Sequence, residues 1–458
     1  MSKRFLGVTV LSDFIQNEGV DGLLENLVRR AGVTAVACNP TVTAPADAAT
    51  GSWQPPDDAG ASVRQFDRPL WGSYALWVRS GPSFTPNAHW YAETPYAPRR
   101  PNDLTEREGS IVGRFVRAAK SAGLRVYFQV GAVQPPGLRT EDTPRLPNGQ
   151  IPAARMAATG SLASPAIRAY NRAYARDLFR VYPELDGLRL DWPEYPCYQL
   201  DEAFQDFGTP VAAWAEAHGF DFDRIRQEVG ELYQWLHGGL TNAMLDRFAA
   251  SDPLAVLQES PAIREWLRLK AALSTDLLRD WREALTEAGG AQKELSANAF
   301  MPPFSTLTGL SFTGAAAHCG SLSPKLYTMH WALMVRFWGS TLLAANPGLD
   351  ERLLVRTLVR LFDLADDLVP DYLAAFDYPQ PDEPHPIPNG PQARKIDQAL
   401  ADTAGKAPVY ALVHGYGPLE DFRRRLQLVA DSRADGVWIN RYGYLSDAKL
   451  DAIGEIWR

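Results

Sequence analysis

The sequence predicts one α/β domain, a (β/α)8 or TIM barrel spanning residues 1–458. Three observations predict it. Eight short apolar or alternating segments are each followed by a helix-like pattern, which is the count such a barrel needs. No Gly-x-Gly-x-x-Gly follows the first strand, as a doubly wound dinucleotide-binding sheet would require. One segment, Leu185 to Trp192, puts Arg189 and Asp191 on one strand face and Leu188 and Leu190 on the other. A charge inside a strand is costly unless paired, so this strand is marked out for a purpose.

The elements follow in order. Strands are expected at 4–11, 34–40, 125–132, 187–192, 294–300, 324–331, 408–415 and 436–443, each ending in polar or Gly/Pro residues. Helices are expected at 21–32, 106–122, 165–181, 210–288 in several pieces, 308–317, 332–367, 418–433 and 446–457. Ser164-Pro165 supplies an N-cap followed by proline at the first helical position, and Ser446-Asp447 opens the last helix similarly. Two long insertions follow the second and fourth strands. Residues 41–105 are rich in Pro, Trp, Tyr and Arg, and residues 198–288 are helical. In a barrel both form a lid or wall over the mouth, because loops after strands sit at that end. A Pro-rich segment at 370–394 precedes the seventh strand.

Composition narrows the function. Of 458 residues, 46% are hydrophobic and 22% charged, an ordinary globular balance with length for a large core. The net charge of −8, with no long basic run, argues against nucleic acid and anionic membrane as partners. Arg423-Arg424-Arg425 reads as a solvated helix face. Cys38, Cys197 and Cys319 are odd in number and far apart, in no metal-ligand spacing. No run of 18 apolar residues occurs, and the N-terminus reads as a first strand, so a cytoplasmic location is expected. Walker, Gly-x-Ser-x-Gly and His-Glu-x-x-His motifs are absent, so no cofactor and no metal are expected.

Barrel active sites lie at the C-terminal strand ends. There the strands deliver Asp13; Asn39; Gln129 and Gln134; Arg189, Asp191, Trp192 and Glu194; Asn298; Lys325, Tyr327 and His330; His414 and Tyr416; and Asn440, Arg441 and Tyr442. Carboxylates, amides and aromatics of this kind suit a sugar, whose hydroxyls want polar partners and whose ring wants a flat apolar face. Asp191 is expected to point inward beside Arg189, whose positive charge keeps it ionised. Glu194 is a candidate proton donor, raised by Trp192 and Tyr195. Asp13 and His330 are further candidates for the second catalytic group. Arg189, Trp192, Gln129, Asn298, Tyr327, His414, Asn440, Arg441 and Tyr442 are expected to bind substrate. Trp53, Trp71, Trp77 and Trp90, with Tyr74, Tyr91 and Tyr96, concentrate in the first insertion as a possible stacking platform.

The run Asp186-Gly187-Leu188-Arg189-Leu190-Asp191-Trp192-Pro193-Glu194-Tyr195-Pro196 resembles the fourth-strand signature of barrel proteins classed as glycoside hydrolase-like. It is more loosely similar to barrels of the α-galactosidase and α-amylase type, where the aspartate ending this strand is the nucleophile. The resemblance implies that role for Asp191. The chain departs from those patterns by placing His330 and His414 where an acid after the sixth strand or a glutamate ending the seventh would stand. The expectation is therefore a glycosidase acting through paired carboxylates on a carbohydrate or glycoside. A non-catalytic carbohydrate-binding barrel and a metal-dependent sugar isomerase or aldolase are the alternatives.

Overall fold

The computed structural model describes residues 4–56, 64–366 and 369–457. Its strands are β1 (Phe5–Thr9), β2 (Ala35–Cys38), β3 (Thr41–Pro45), β4 (Ser52–Gln54), β5 (Leu76–Pro82), β6 (Arg125–Gly131), β7 (Gly187–Asp191), β8 (Glu294–Phe300), β9 (Ser321–Leu326), β10 (Tyr410–His414) and β11 (Gly436–Asn440). Strands β1, β2, β6, β7, β8, β9, β10 and β11 close, in that order, into a parallel barrel. The expected (β/α)8 fold is thus observed. Register levels the tips: Thr9 pairs with Asn440, His414 with Asn440, and Gly131 with Asp191.

Strand parity sorts the two faces. Val36, Phe128, Leu188, Leu190, Val413 and Ile439 join the large core between strands and helices. Ala35, Ala37, Tyr127, Tyr410, Leu412 and Trp438 form a separate cluster with Phe5, consistent with alternate residues filling the barrel lumen. Gly7 makes room for Trp438, since a Cβ there would lie 2.2 Å from the indole. Among these inward positions stand polar ones. Glu294 accepts from Tyr127 Oη at 2.9 Å and Ser321 Oγ at 2.6 Å, and Arg125 also bonds to it.

The insertion at 41–105 contains an antiparallel sheet, β3-β5-β4; its residues 57–63 lie outside the described part. In the second insertion, helix Pro261–Gly289 packs along helix Pro165–Val181. Ion pairs Arg168–Asp276 at 2.7 Å and Arg172–Asp280 at 2.8 Å join them. That helix is therefore the barrel's own return helix between β7 and β8. No described helix is long and apolar enough to cross a membrane.

Several expected boundaries need correction. The sixth barrel strand is Ser321–Leu326, and Thr328–Ala345 is helix. Pro324 made the true strand look broken, while the apolar start of a buried helix looked like strand. The first helix starts at Ser12, well before residue 21. The helix expected at 308–317 is two short ones, Phe304–Thr308 and Phe312–Ala315, with Gly309 between them at φ 87°. Of 332–367, residue 367 lies outside the described part, and helix Asn389–Thr403 occupies ground not read as helical.

Arg425 overturns the reading of the arginine triplet as a solvated face. It is fully buried, with Nε 2.8 Å from Asp421, and it donates to the carbonyls of His414 at 2.6 Å and Tyr416 at 2.7 Å. Those bonds hold the loop after β10. Arg425→Met leaves Asp421 and two carbonyls without these bonds, and is expected to cost about 3–5 kcal/mol in urea unfolding. Arg423→Ala removes a largely exposed pair with Glu455 and is expected to cost under about 1 kcal/mol.

Candidate functional site at the barrel mouth

Arg189 is the deepest member of the site and is completely buried. Its Nη1 donates to Thr9 Oγ1 at 3.3 Å and Gln129 Oε1 at 3.2 Å, and its Nη2 donates to Asn298 Oδ1 at 2.7 Å. The guanidinium lies 3.7 Å from the centroid of Trp438. Burial pulls its pKa down to about 10, so it remains charged at neutral pH.

Asp191 ends β7 one layer above, with its side chain 25% exposed. Asp191 interacts by charge with Arg189, as expected, but its contact partner is another cation: its Oδ1 sits 2.6 Å from Lys325 Nζ of β9. Gln129 Nε2 donates to Asp191 Oδ2 at 3.5 Å. Gln129 bridges the two by hydrogen bonds, and Arg189 also interacts with Asp191 directly by charge. Lys325 is buried, with Nζ 3.9 Å from the centroid of Trp192. Trp192 has φ 59°, a strained setting for a bulky residue that costs about 1–3 kcal/mol and is typical of functional turns. The ion pair, the indole and the turn form one unit.

Glu194 is close in sequence but closed off. It is fully buried, Oε1 accepting from Phe300 N at 2.7 Å and Oε2 from the Thr308 hydroxyl. Burial raises its pKa to about 7, against the lowering effects of Lys325, Thr308 and the Phe300 N–H. Asp13 stands in the first turn of helix Ser12–Leu24, also buried. Burial raises it to about 6, while backbone N–H groups and Arg441 pull the other way.

Other expected residues divide into mouth and scaffold. Asn440 Nδ2 donates to Tyr327 Oη at 2.8 Å, joining β11 to the turn after β9. The Tyr327 ring stands edge-on to His330 and His414, with centroids 5.4 and 5.2 Å away. His330 is on helix Thr328–Ala345 instead of the strand tip, and its Nδ1 lies 3.0 Å from Tyr198 Oη. His414 Nδ1 accepts from Tyr416 N at 3.1 Å. Tyr442 is directed away: its hydroxyl donates to Glu18 at 2.6 Å and accepts from Asn26 at 2.8 Å. The aromatics of the first insertion also scatter. Trp53 packs on Trp77, Arg180 covers Trp90, and Tyr96 donates to Asp142 at 2.6 Å.

Sequence reasoning placed Lys325 at the mouth without its pairing, and it missed Thr9, Thr308 and His385. The signal for Lys325 was its parity with Ser321 and Ser323, which sets a cation inward. His385, from the Pro-rich segment, is buried with Nδ1 2.7 Å from Thr328 Oγ1, and burial holds it well below the ordinary histidine range. Among the described residues no group of three or more His, Cys, Asp or Glu converges as a metal site.

No known family profile and no curated protein matches the chain in sequence. Several solved structures align with it over most of its length. The β-galactosidase of the psychrophilic Marinomonas ef1 is 12% identical with a TM-score of 0.49, and the match covers 96% of this chain. This chain spans about half (54%) of that protein. The catalytic domain of a β-amylase from Paenibacillus polymyxa is 10% identical, covering 97% of this chain and 94% of that one, with a TM-score of 0.46. The Group IV chitinase of Ostrinia furnacalis is 7% identical, covering 99% of each, with a TM-score of 0.47.

The raised Glu194 carboxyl has a consequence for stability. Its folded value of about 7 lies above the ordinary 4.5, so the folded state binds the proton more tightly. This contribution is fully present below about pH 4.5 and lost as pH rises to about 7. Glu194→Gln is expected to remove that part of the pH dependence, up to roughly 3 kcal/mol. Urea titrations of both proteins at pH 4.5, 5.5 and 7.5 check it, with the wild type losing stability relative to the variant as pH rises.

Proposed function

We propose that the chain is a carbohydrate-active enzyme that cleaves a glycosidic bond at the barrel mouth, with Asp191 as the working carboxylate. The observation that carries this reading is the Asp191–Lys325 pair. It is a partly open carboxylate on a rigid strand tip, in contact with a lysine and beside a strained tryptophan. An ionised carboxylate there can attack, or stabilise, the positive charge that develops on a sugar ring as its bond breaks. Asn39, Gln129, Asn440, Arg441 and Tyr327 supply polar groups for hydroxyls, and Trp192 supplies an apolar surface.

The proton donor needs a carboxyl that holds its proton longer than usual. Glu194 and Asp13 both do. Both Glu194 oxygens are bonded within the scaffold, so its part in this reading is to tie the loop after β7 to Phe300 and Thr308. The donor's part goes to Asp13, adjoining Arg441 at the tip of β11. His330 and His414 frame Tyr327 and orient substrate hydroxyls. A non-catalytic sugar-binding barrel is the second reading, favoured by the closure of Glu194.

A panel of p-nitrophenyl glycosides tests the proposal. Hydrolysis of at least one member is expected, with Asp191→Asn lowering kcat about 10²–10⁴-fold while binding is retained. In the wild type kcat/KM is expected to fall as pH rises through about 6, where Asp13 loses its proton, and Asp13→Asn removes that limb. Unchanged turnover in Asp191→Asn sinks the assignment, and binding without hydrolysis favours the second reading.

A further inference from the structure

Beside the mouth lies a cavity of about 260 Å³ that the reaction scheme leaves unused. Three parts of the chain enclose it: the tips of β2 and β6, the first insertion, and helix Pro165–Val181. It is smaller than the roughly 300–1,000 Å³ of drug-sized sites, and so suits a single ring. Tyr170 and Tyr174 line it as a stacked pair, centroids 5.8 Å apart at 20°, with Tyr91 5.5 Å from Tyr170. Asn39 and Gln129 add amides to the lining.

Two features give the cavity a direction. It is joined to the candidate site, because Gln129 lines it and also donates to Asp191, and Gly131 pairs in register with Asp191. A ring in the cavity is then about one side chain from the proposed point of cleavage. Its lining is also electrically one-sided. Arg99 is the charged side chain among the lining residues; the carboxylate of Asp177, buried behind Tyr91, Tyr170 and Tyr174, is engaged by Asn87 N–H and Arg180. Arg99 has no hydrogen-bond or ion-pair partner among the described residues. It is close enough to act electrostatically on both Tyr170 and Tyr174. Aromatic faces take the apolar side of a sugar ring, and a guanidinium takes a carboxylate in a charge-assisted, commonly bidentate bond.

We infer that this cavity is a second sugar subsite that takes a ring bearing a carboxylate, a uronic acid. The substrate is then an acidic oligosaccharide of at least two units. The cleavage part rests on the function proposed above; the binding part does not.

Saturation-transfer NMR and calorimetry on the full chain test it, with D-glucuronate, D-galacturonate, D-glucose and D-galactose as probes. At least one uronate is expected to bind about tenfold or more tightly than its neutral counterpart. Arg99→Ala, at an exposed position, is expected to abolish that preference while circular dichroism stays unchanged, and Arg99→Lys to restore part of it. Equal binding of acid and neutral sugars, no binding of either, or a preference that survives Arg99→Ala overturns the inference. Uronate binding by a wild type that does not hydrolyse any aryl glycoside would defeat the cleavage reading and leave the subsite standing.

Discussion

A guanidinium held in the centre of a closed barrel is the constraint on which the rest of the site depends. Arg189 reaches Thr9 of β1, Gln129 of β6 and Asn298 of β8, and lies against Trp438 of β11. One side chain on β7 thereby touches groups from four other strands. Water cannot solvate it there, so each neighbour has to offer an oxygen or a π-face. The facing strands accordingly carry threonine, glutamine, asparagine and tryptophan where an ordinary barrel carries branched apolar residues. Even Gly7 belongs to this arrangement, since it clears the space that lets Trp438 lie beneath the charge.

The layer above inherits its geometry from that arrangement. Gln129 is fixed by accepting from Arg189, which aims its amide at Asp191. Asp191 makes its close ion pair across the β8 strand, with Lys325 of β9. A buried lysine without a counter-charge is costly, so the two groups are mutually required. The mouth therefore presents a carboxylate whose position is set by strand register and by contact with Lys325, with little left to loop mobility. The same economy applies around His414, whose loop is held by Arg425 through backbone carbonyls.

Much of this was legible in the chain itself. The barrel and the inward pair Arg189 and Asp191 follow from period-two alternation and the strand count. The mouth residues Gln129, Asn298, Tyr327 and Asn440 follow from the rule that strand tips face the site. What misled was local. Pro324 sits inside a strand, and the apolar start of helix Thr328–Ala345 imitates one, so His330 was assigned to a tip it does not occupy. Arg425 looked like its exposed neighbours because a helix pattern shows which residues share a face, not whether a loop carbonyl waits above that face. Glu194 looked like an acid in a loop because Thr308, 114 residues later, cannot be seen from its own segment.

The sequence by itself determined the layer architecture, the strand that carries Arg189 and Asp191 and the direction in which those charges point, because all three depend on short-range periodicity. Only the tertiary structure decided who pairs with whom. The choice of Lys325 over Arg189 for Asp191, the closure of Glu194 and the cavity between β2, β6 and the first insertion arise from contacts between distant segments. Those are settled when the barrel closes and every buried charge must find a partner within a few ångströms.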